Sequence, residues 1–330
     1  MKAITYRAFG AASDVLTLEE MANPKPGAGE VLVDMHYSGV NPSDVKSRAR
    51  ARVGVTELPY PAITPHSDGS GVISAVGQGV SQDRIGERVW LWNGQWRRAF
   101  GTAAQQITLP ADQAVLLPDG TDMATGAVLG IPGLTACYCV FSGGDVAGKT
   151  VLVQGGAGTV GLLAVQLAKW GGARVIATAS GVGLERAREA GADAVIDYHL
   201  PDLPAQIVAA NDGALVDLIV EVEFGPNVAV DVEVIAESGR IVAYGSAKDM
   251  MPTVPFFPLM FKAVTLKAAL VYILTPQERV ETIQQLTKAL TEGALNCPIE
   301  QVFSLSECAL AHEAVEAGGR TGAILVKLAD

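Results

Sequence analysis

The stretch Val151-Leu152-Val153-Gln154-Gly155-Gly156-Ala157-Gly158-Thr159-Val160-Gly161 constrains this chain more than any other. A β-branched apolar run ends in a glycine-rich turn, and a helix-period run over 162–170 follows at once. Strand, turn and helix in that order set unpaired backbone N–H groups and the positive end of a helix where a diphosphate can lie. Glycines accept positive φ and let ligand oxygens and the neighbouring strand come close. The spacing is G-x-x-G-x-x-G on Gly155, Gly158 and Gly161. The flanking elements give it a weight that a glycine triplet alone lacks.

The texture of the chain changes near Ala124. Before it, short strand-like runs such as Glu30-Val31-Leu32-Val33-Asp34-Met35-His36-Tyr37, 71–77 and 88–92 are broken by frequent Pro/Gly punctuation. That pattern predicts a mostly antiparallel β domain. After it, an apolar helix over 124–141 leads to the glycine turn, and strand-like runs alternate with helical ones. The strands are expected at 151–153, 174–179, 194–197, 216–222, 240–245 and 264–270, with helices near 183–190, 202–210 and 227–237. Nearly uniform apolar strands are those of a parallel sheet covered on both faces. We therefore expect an α/β chain in which 124–271 form a doubly wound parallel-sheet dinucleotide-binding domain. Residues 1–123 with 272–330 form the second, substrate-side domain, including a helix near 276–292 and a final strand near 322–328.

Bulk properties narrow the function. The chain is 49% hydrophobic and 18% charged, as in a packed globular protein. Its net charge of −11 repels phosphate backbones, so no nucleic-acid partner is expected. The spacing in Cys137-Tyr138-Cys139 suits neither a metal pair nor a redox pair, and buried thiols are expected. The start carries no apolar h-region, and the run 268–274 falls far short of the ~20 residues of a spanning helix. The expectation is a cytoplasmic protein of a reducing compartment with no membrane partner.

The second strand speaks to the cofactor. NAD-preferring sites place a carboxylate at its end, about twenty residues past the glycine turn, to hold the ribose hydroxyls. Ser180 stands there, and no acid follows until Glu185; Arg186 and Arg188 come next. A 2′-phosphate is repelled by a carboxylate and accepted by a hydroxyl and a guanidinium. NADPH is the expected cofactor. Ser180 carries that reading, since the two arginines serve equally as a solvated helix face.

Several segments together resemble the zinc-free quinone oxidoreductase branch of the medium-chain dehydrogenase/reductase superfamily. They are Gly39-Val40-Asn41-Pro42-Ser43-Asp44, Asp68-Gly69-Ser70-Gly71-Val72-Ile73-Ser74-Ala75-Val76-Gly77, Gly130-Ile131-Pro132-Gly133-Leu134-Thr135-Ala136, the glycine turn, and Ala190-Gly191-Ala192-Asp193-Ala194-Val195-Ile196-Asp197-Tyr198. The resemblance implies a GroES-like first domain and a Rossmann second domain. It places the three catalytic-zinc ligand positions of the superfamily's alcohol dehydrogenases at Asn41, Ser67 and Ile131, none of which can replace a thiolate or imidazole. His66 is one residue out of register. The four-cysteine structural zinc lobe is missing too, since 92–106 holds no cysteine. No metal is expected, and the acceptors that remain are those that take hydride without a Lewis acid.

The resemblance also assigns the site. The turn from Gly155, with the backbone of Gly158, Thr159, Val160 and Gly161, would hold the diphosphate. Ser180, Arg186 and Tyr198 would surround the ribose phosphate, with Tyr198 equally readable as a surface tyrosine. Asn227, Gly245, Ser246 and Leu270 would run along the cofactor, and Thr135 would approach its nicotinamide end in an interdomain cleft. On the substrate side the leading candidates are Asn41, to orient an amide or a quinone oxygen, and Asp44, to fix its neighbours; an Asx turn around Pro42 is the plainer account. The family's usual Arg-x-Gly-x-Tyr is here Arg48-Ala49-Arg50-Ala51-Arg52. Arg48 and Arg52, with Arg50, either line an anion-accepting mouth or form a basic helix face. Trp92 and Trp96 are open to a stacking role.

Three functions stay in play: an NADPH-dependent quinone reductase, an NADPH-dependent reductase of α,β-unsaturated carbonyls, and a non-catalytic NADPH-binding structural or RNA-binding protein. Strand 264–270 should be a sheet edge, and pairing of that edge with its two-fold mate would give a homodimer.

Overall fold

The structure, a computed structural model, describes residues 1–51 and 54–329. They fall into two compact units, 1–131 with 297–330, and 132–296. In the first unit β1 (Lys2–Thr5) and β2 (Thr17–Glu20) make a small antiparallel pair. The main sheet gathers β3 (Glu30–Val40), β4 (Gly69–Val76), β5 (Arg88–Leu91), β6 (Gln106–Pro110) and β7 (Ala114–Leu116), all antiparallel. Alternation sets its core: Val31, Val33 and Met35 of β3 point inward, while their neighbours are half-buried.

The second unit holds β8 (Thr150–Val153), β9 (Arg174–Ala179), β10 (Ala194–Asp197), β11 (Val216–Glu221), β12 (Ile235–Ala243) and β13 (Thr265–Ala268). They pair in parallel in the order β10-β9-β8-β11-β12-β13. This is the doubly wound order with its switch between β8 and β11, and β13 is the edge expected from sequence. Val151, Leu152 and Val153 are all fully buried, which is why the strand reads as an unbroken apolar run.

In the C-terminal part the final strand lies where it was expected and one helix does not. Strands β14 (Ile299–Ser304) and β15 (Ala323–Lys327) return to the first sheet, β15 antiparallel on β3. The helix Pro276–Thr291, expected with them, belongs to the second unit. Its Glu278 accepts from Tyr138 Oη at 2.6 Å, and Cys137 Sγ donates to the Thr282 carbonyl at 3.4 Å. Residues 124–131 move the other way, into the first unit, where Ile131 N bonds Asp68. The apolar helix over 124–141 is interrupted by a π turn over Leu129–Gly133 that contains Pro132. Among the described residues Met123–Phe141, rather than 268–274, is the helical stretch long and apolar enough to cross a membrane, and 83% of its apolar window is buried inside the protein. All four cysteines are free and buried; burial pushes the Cys139 and Cys297 thiols up to about 12.

Candidate active site

In the second unit β8 runs into Gln154 and the glycine turn, and Gly158 caps the helix Thr159–Trp170. Gly155 sits at φ +68°, and its N–H is held by Thr178 Oγ1 at 3.1 Å. A Cβ on Gly161 would lie 2.2 Å from the Gly155 carbonyl oxygen, so the helix packs against the turn only through glycine. At Gly158 a Cβ would meet nothing closer than 3.6 Å. Internal packing therefore does not require a glycine at 158, and the space above it remains for a ligand. The N–H groups of the first helical turn, from Thr159, Val160 and Gly161, have no intrahelical acceptor. A diphosphate fits this seat.

At the ends of β9 and β10, Ser180 Oγ donates to Tyr198 Oη at 2.6 Å, an arrangement in which the phenol proton can go to an outside anion. The structure thus joins two residues eighteen positions apart. Arg186 stands half-buried on the helix Gly183–Glu189, while Arg188 pairs with Glu185 at 3.0 Å. The remaining positions are mixed. Asn227 donates to Glu221 Oε1 at 3.0 Å, and the Gly245 carbonyl accepts from Phe224 N. Ser246 Oγ accepts from Gly225 N and donates to the Asp249 carbonyl, so its hydroxyl is engaged within the unit. Thr135 is buried and Leu270 is exposed.

Sequence reasoning missed what lies under the turn. Gln154 takes Thr178 Oγ1 on its carbonyl oxygen (2.6 Å) and donates to Asp231 Oδ1 (3.0 Å). Asp231 faces Glu221, and both are fully buried. Burial first, and then the Glu221 charge, hold the Asp231 carboxyl well above the usual range; burial also raises that of Glu221, against the bonds it accepts from Glu223 N and Asn227, so the pair keeps a proton. An acid closing the strand Val216–Glu221 and a second on the next helix were the available signal. A native carboxyl with a raised pKa holds more protons than the unfolded chain, so its stabilisation is lost as pH rises above the unfolded carboxylate range. Asp231→Asn keeps the bond from Gln154 without a titrating group. Its melting temperature relative to wild type should climb between pH 5 and pH 8, and a constant difference would contradict the shared proton.

In the first unit Asn41 caps the helix Pro42–Arg48; its N–H is accepted by Asp44 Oδ2 at 2.8 Å. Asp44 therefore orders the turn, the plainer of the two sequence readings. Asn41 Nδ2 donates to Asp68 Oδ1 at 2.8 Å, and Ile131 N to Asp68 Oδ2 at 3.1 Å. Two of the positions assigned to zinc ligands thus meet at one fully buried carboxyl, next to the third, Ser67. Burial and the Asp44 charge push that carboxyl well up, and the two donated bonds pull against them. An amide, a hydroxyl and an isoleucine give no tetrahedral site for zinc.

The arginine run needs correction. Arg48 is fully buried, its guanidinium paired with Glu316 and the Gly10 carbonyl, and does not line a mouth. Helical phase explains it: Asp44, Val45 and Arg48 all turn inward. Arg50 lies past the helix at φ +59°, and Arg52 lies outside the described residues. Trp90 and Trp92 are core residues, Trp92 Nε1 donating to the Asp112 carbonyl, while Trp96 is half-buried under the Arg97 guanidinium. A cavity of about 700 Å³ in the second unit is lined by Tyr138, Trp170, Glu278 and Glu292 among others, but by no residue of the glycine turn.

Comparison with known proteins agrees with this geometry. The alcohol dehydrogenase GroES-like domain model matches 27–119 and the zinc-binding dehydrogenase model matches 159–292, the order of a two-domain, alcohol-dehydrogenase-like oxidoreductase. The quinone oxidoreductase of Sus scrofa is 29% identical over 333 residues, covering 99% of this chain and 98% of its own. The human synaptic vesicle membrane protein VAT-1 homolog is 31% identical over 252 residues, 75% of this chain and 61% of its own. Among solved structures, an NAD-dependent alcohol dehydrogenase has a TM-score of 0.87 at 28% identity, covering both chains fully. A mycobacterial protein complexed with NADPH has 0.86 at 27%, covering 99% of this chain and 100% of its own. The chain belongs to the zinc-free quinone oxidoreductase branch of the medium-chain dehydrogenase/reductase superfamily.

Proposed function

We propose that this chain is an NADPH-dependent, zinc-independent reductase that passes hydride to a quinone. The observation that carries it is the Asn41–Asp68–Ile131 junction, where the superfamily's metal chemistry has been replaced by hydrogen-bond donors on a carboxyl. The names of the full-length relatives support a quinone acceptor. A neighbour complexed with NADPH supports the cofactor, as do the hydroxyls of Ser180 and Tyr198 where NAD sites carry an acid. The first-turn N–H groups hold the diphosphate over Gly158, and Ser180 with Tyr198 takes the 2′-phosphate. The nicotinamide supplies the hydride when bound. Asn41, pinned through Nδ2, offers its amide to the nicotinamide carboxamide or to a quinone oxygen. Reduction leaves an oxyanion that solvent protonates, so no side chain is assigned as general acid. The buried free thiols support a reducing, cytoplasmic setting.

Steady-state assays with NADPH and NADH against 1,2- and 1,4-quinones and enals test this reading. Quinone turnover with NADPH should exceed the rest; faster enal turnover would make the chain an enone reductase, and tight NADPH binding with no turnover a non-catalytic binder.

We also propose a homodimer through the β13 edge. Leu266 and Leu270 are exposed there, and the helix Phe256–Phe261 exposes Phe256, Phe257 and Phe261 by 64–78%. Apolar exposure on that scale marks an interaction surface. Light scattering should give a dimer for wild type and a monomer for Phe257→Asp/Phe261→Asp; a wild-type monomer at micromolar concentration would refute it.

A further inference from the structure

Three buried side chains from distant parts of the first unit converge on one point. His66 Nε2 lies 2.8 Å from His312 Nε2 and 3.9 Å from Cys308 Sγ, and the three atoms lie within 4.8 Å of one another. The imidazole centroids are 5.0 Å apart with planes tilted by 24°, so the rings meet edge to edge. All three residues are 0% exposed. A point equidistant from the three atoms is no more than about 2.4 Å from each, beside the ~2.0–2.3 Å of nitrogen and sulfur bonds to a d¹⁰ metal ion.

Hydrogen bonding fixes the tautomers. Thr102 Oγ1 donates its one proton to the Asp68 carbonyl at 2.6 Å. Ser38 Oγ must then donate to Thr102 (2.7 Å) and accept from His66 Nδ1 (2.8 Å). His66 Nε2 is left as a lone pair facing the proton of His312 Nε2, and His312 Nδ1 has no partner among the described residues. Burial, and then neighbouring groups, push His66 well down and His312 to about 3, so both rings are neutral. His66 is also held at φ +75°, a strained conformation for a residue with a side chain.

We propose that His66, His312 and Cys308 bind a soft monovalent cation, copper(I) in character, in place of the proton between the two imidazoles. The two nitrogens part slightly to admit it. Cys308 gives up its thiol proton to solvent, and His312 moves its proton from Nε2 to Nδ1, while His66 keeps its bond to Ser38. One cation enters and one proton leaves, so the buried site stays neutral. That balance selects the ion. A divalent cation on one thiolate would leave a net positive charge among three side chains that are fully buried. Thiolate and imidazole are ligands that suit copper(I). Its three ligands are none of Asn41, Ser67 and Ile131, the positions where the superfamily holds zinc.

Anaerobic titration of the full chain with copper(I) against a chromophoric copper(I) chelator tests this, with X-ray absorption for the ligand set. One retained equivalent is expected, in a shell of two nitrogens and one sulfur. Cys308→Ser and His312→Gln should each weaken retention by at least roughly 100-fold, as the loss of one ligand in three implies. The Cys137→Ser/Cys139→Ser/Cys297→Ser chain, with Cys308 as its remaining thiol, should still take up one equivalent. Loss of all copper to the chelator, a shell of other composition, uptake indifferent to Cys308→Ser, or none in the Cys308-only chain would each overturn the site.

Discussion

Gly158→Val is expected to fold with close to the wild-type melting temperature and to lose NADPH affinity by about 100-fold or more, roughly 2.7 kcal/mol. The nearest atom to a Cβ there is the Gly155 carbonyl oxygen at 3.6 Å, an ordinary contact, so the fold has room for a side chain. Gly158 also has ordinary extended backbone, φ −74° and ψ 165°, which any residue can adopt. The side chain would instead fill the volume through which phosphate oxygens reach the first-turn N–H groups. Gly161→Ala is the contrasting control. Its Cβ would lie 2.2 Å from the Gly155 carbonyl oxygen, so the turn or the helix must shift, at about 1–3 kcal/mol of stability. Parallel thermal melts and fluorescence titrations separate the two outcomes. A Gly158→Val chain that melts early would show that packing does need glycine there, and one that binds NADPH normally would show that the diphosphate is held elsewhere.

Ser180→Asp should reverse the choice of cofactor. It sets a carboxylate beside Tyr198 where a 2′-phosphate would lie, and like charges brought together cost several kcal/mol. NADPH should weaken by about 100-fold or more. NADH should bind no worse, and better if the new acid accepts from the ribose hydroxyls. Solved neighbours of this chain include one described as NAD-dependent and one complexed with NADPH, so the fold alone does not decide the preference. The ratio of the two dissociation constants in wild type and variant is the readout. Equal binding of both cofactors by the wild-type chain would show that Ser180 does not set the preference.

Much of the second unit was legible because its signals are local. The glycine turn, the apolar strands and Ser180 each lie within a few residues of the feature that explains them, and the strand order follows from the βαβ rule. The first unit hides more. Arg48, Arg50 and Arg52 alternate in sequence and look like one face, but the helix ends at Arg48 and turns that residue inward against Glu316. Its helical spacing from Val45 and Asp44 was the better guide. Asp68 was legible only as an acid among small residues; that it gathers Asn41 and Ile131 depends on pairing across 27 and 63 positions. His66 and His312 are 246 positions apart, and no periodicity connects them. Helix Pro276–Thr291 was given to the wrong unit because its amphipathic pattern shows that it packs and not against what. The contacts of Glu278 and Thr282 with Tyr138 and Cys137 decide that.

Hydride is expected to reach its acceptor without a zinc ion at Asn41, Ser67 and Ile131. This is tested most directly by NADPH-dependent quinone turnover after dialysis against a zinc chelator, with metal content measured on the same sample. Turnover should be undiminished in zinc-free protein and unchanged when zinc is added back. Activity lost with the metal and restored by stoichiometric zinc would contradict it.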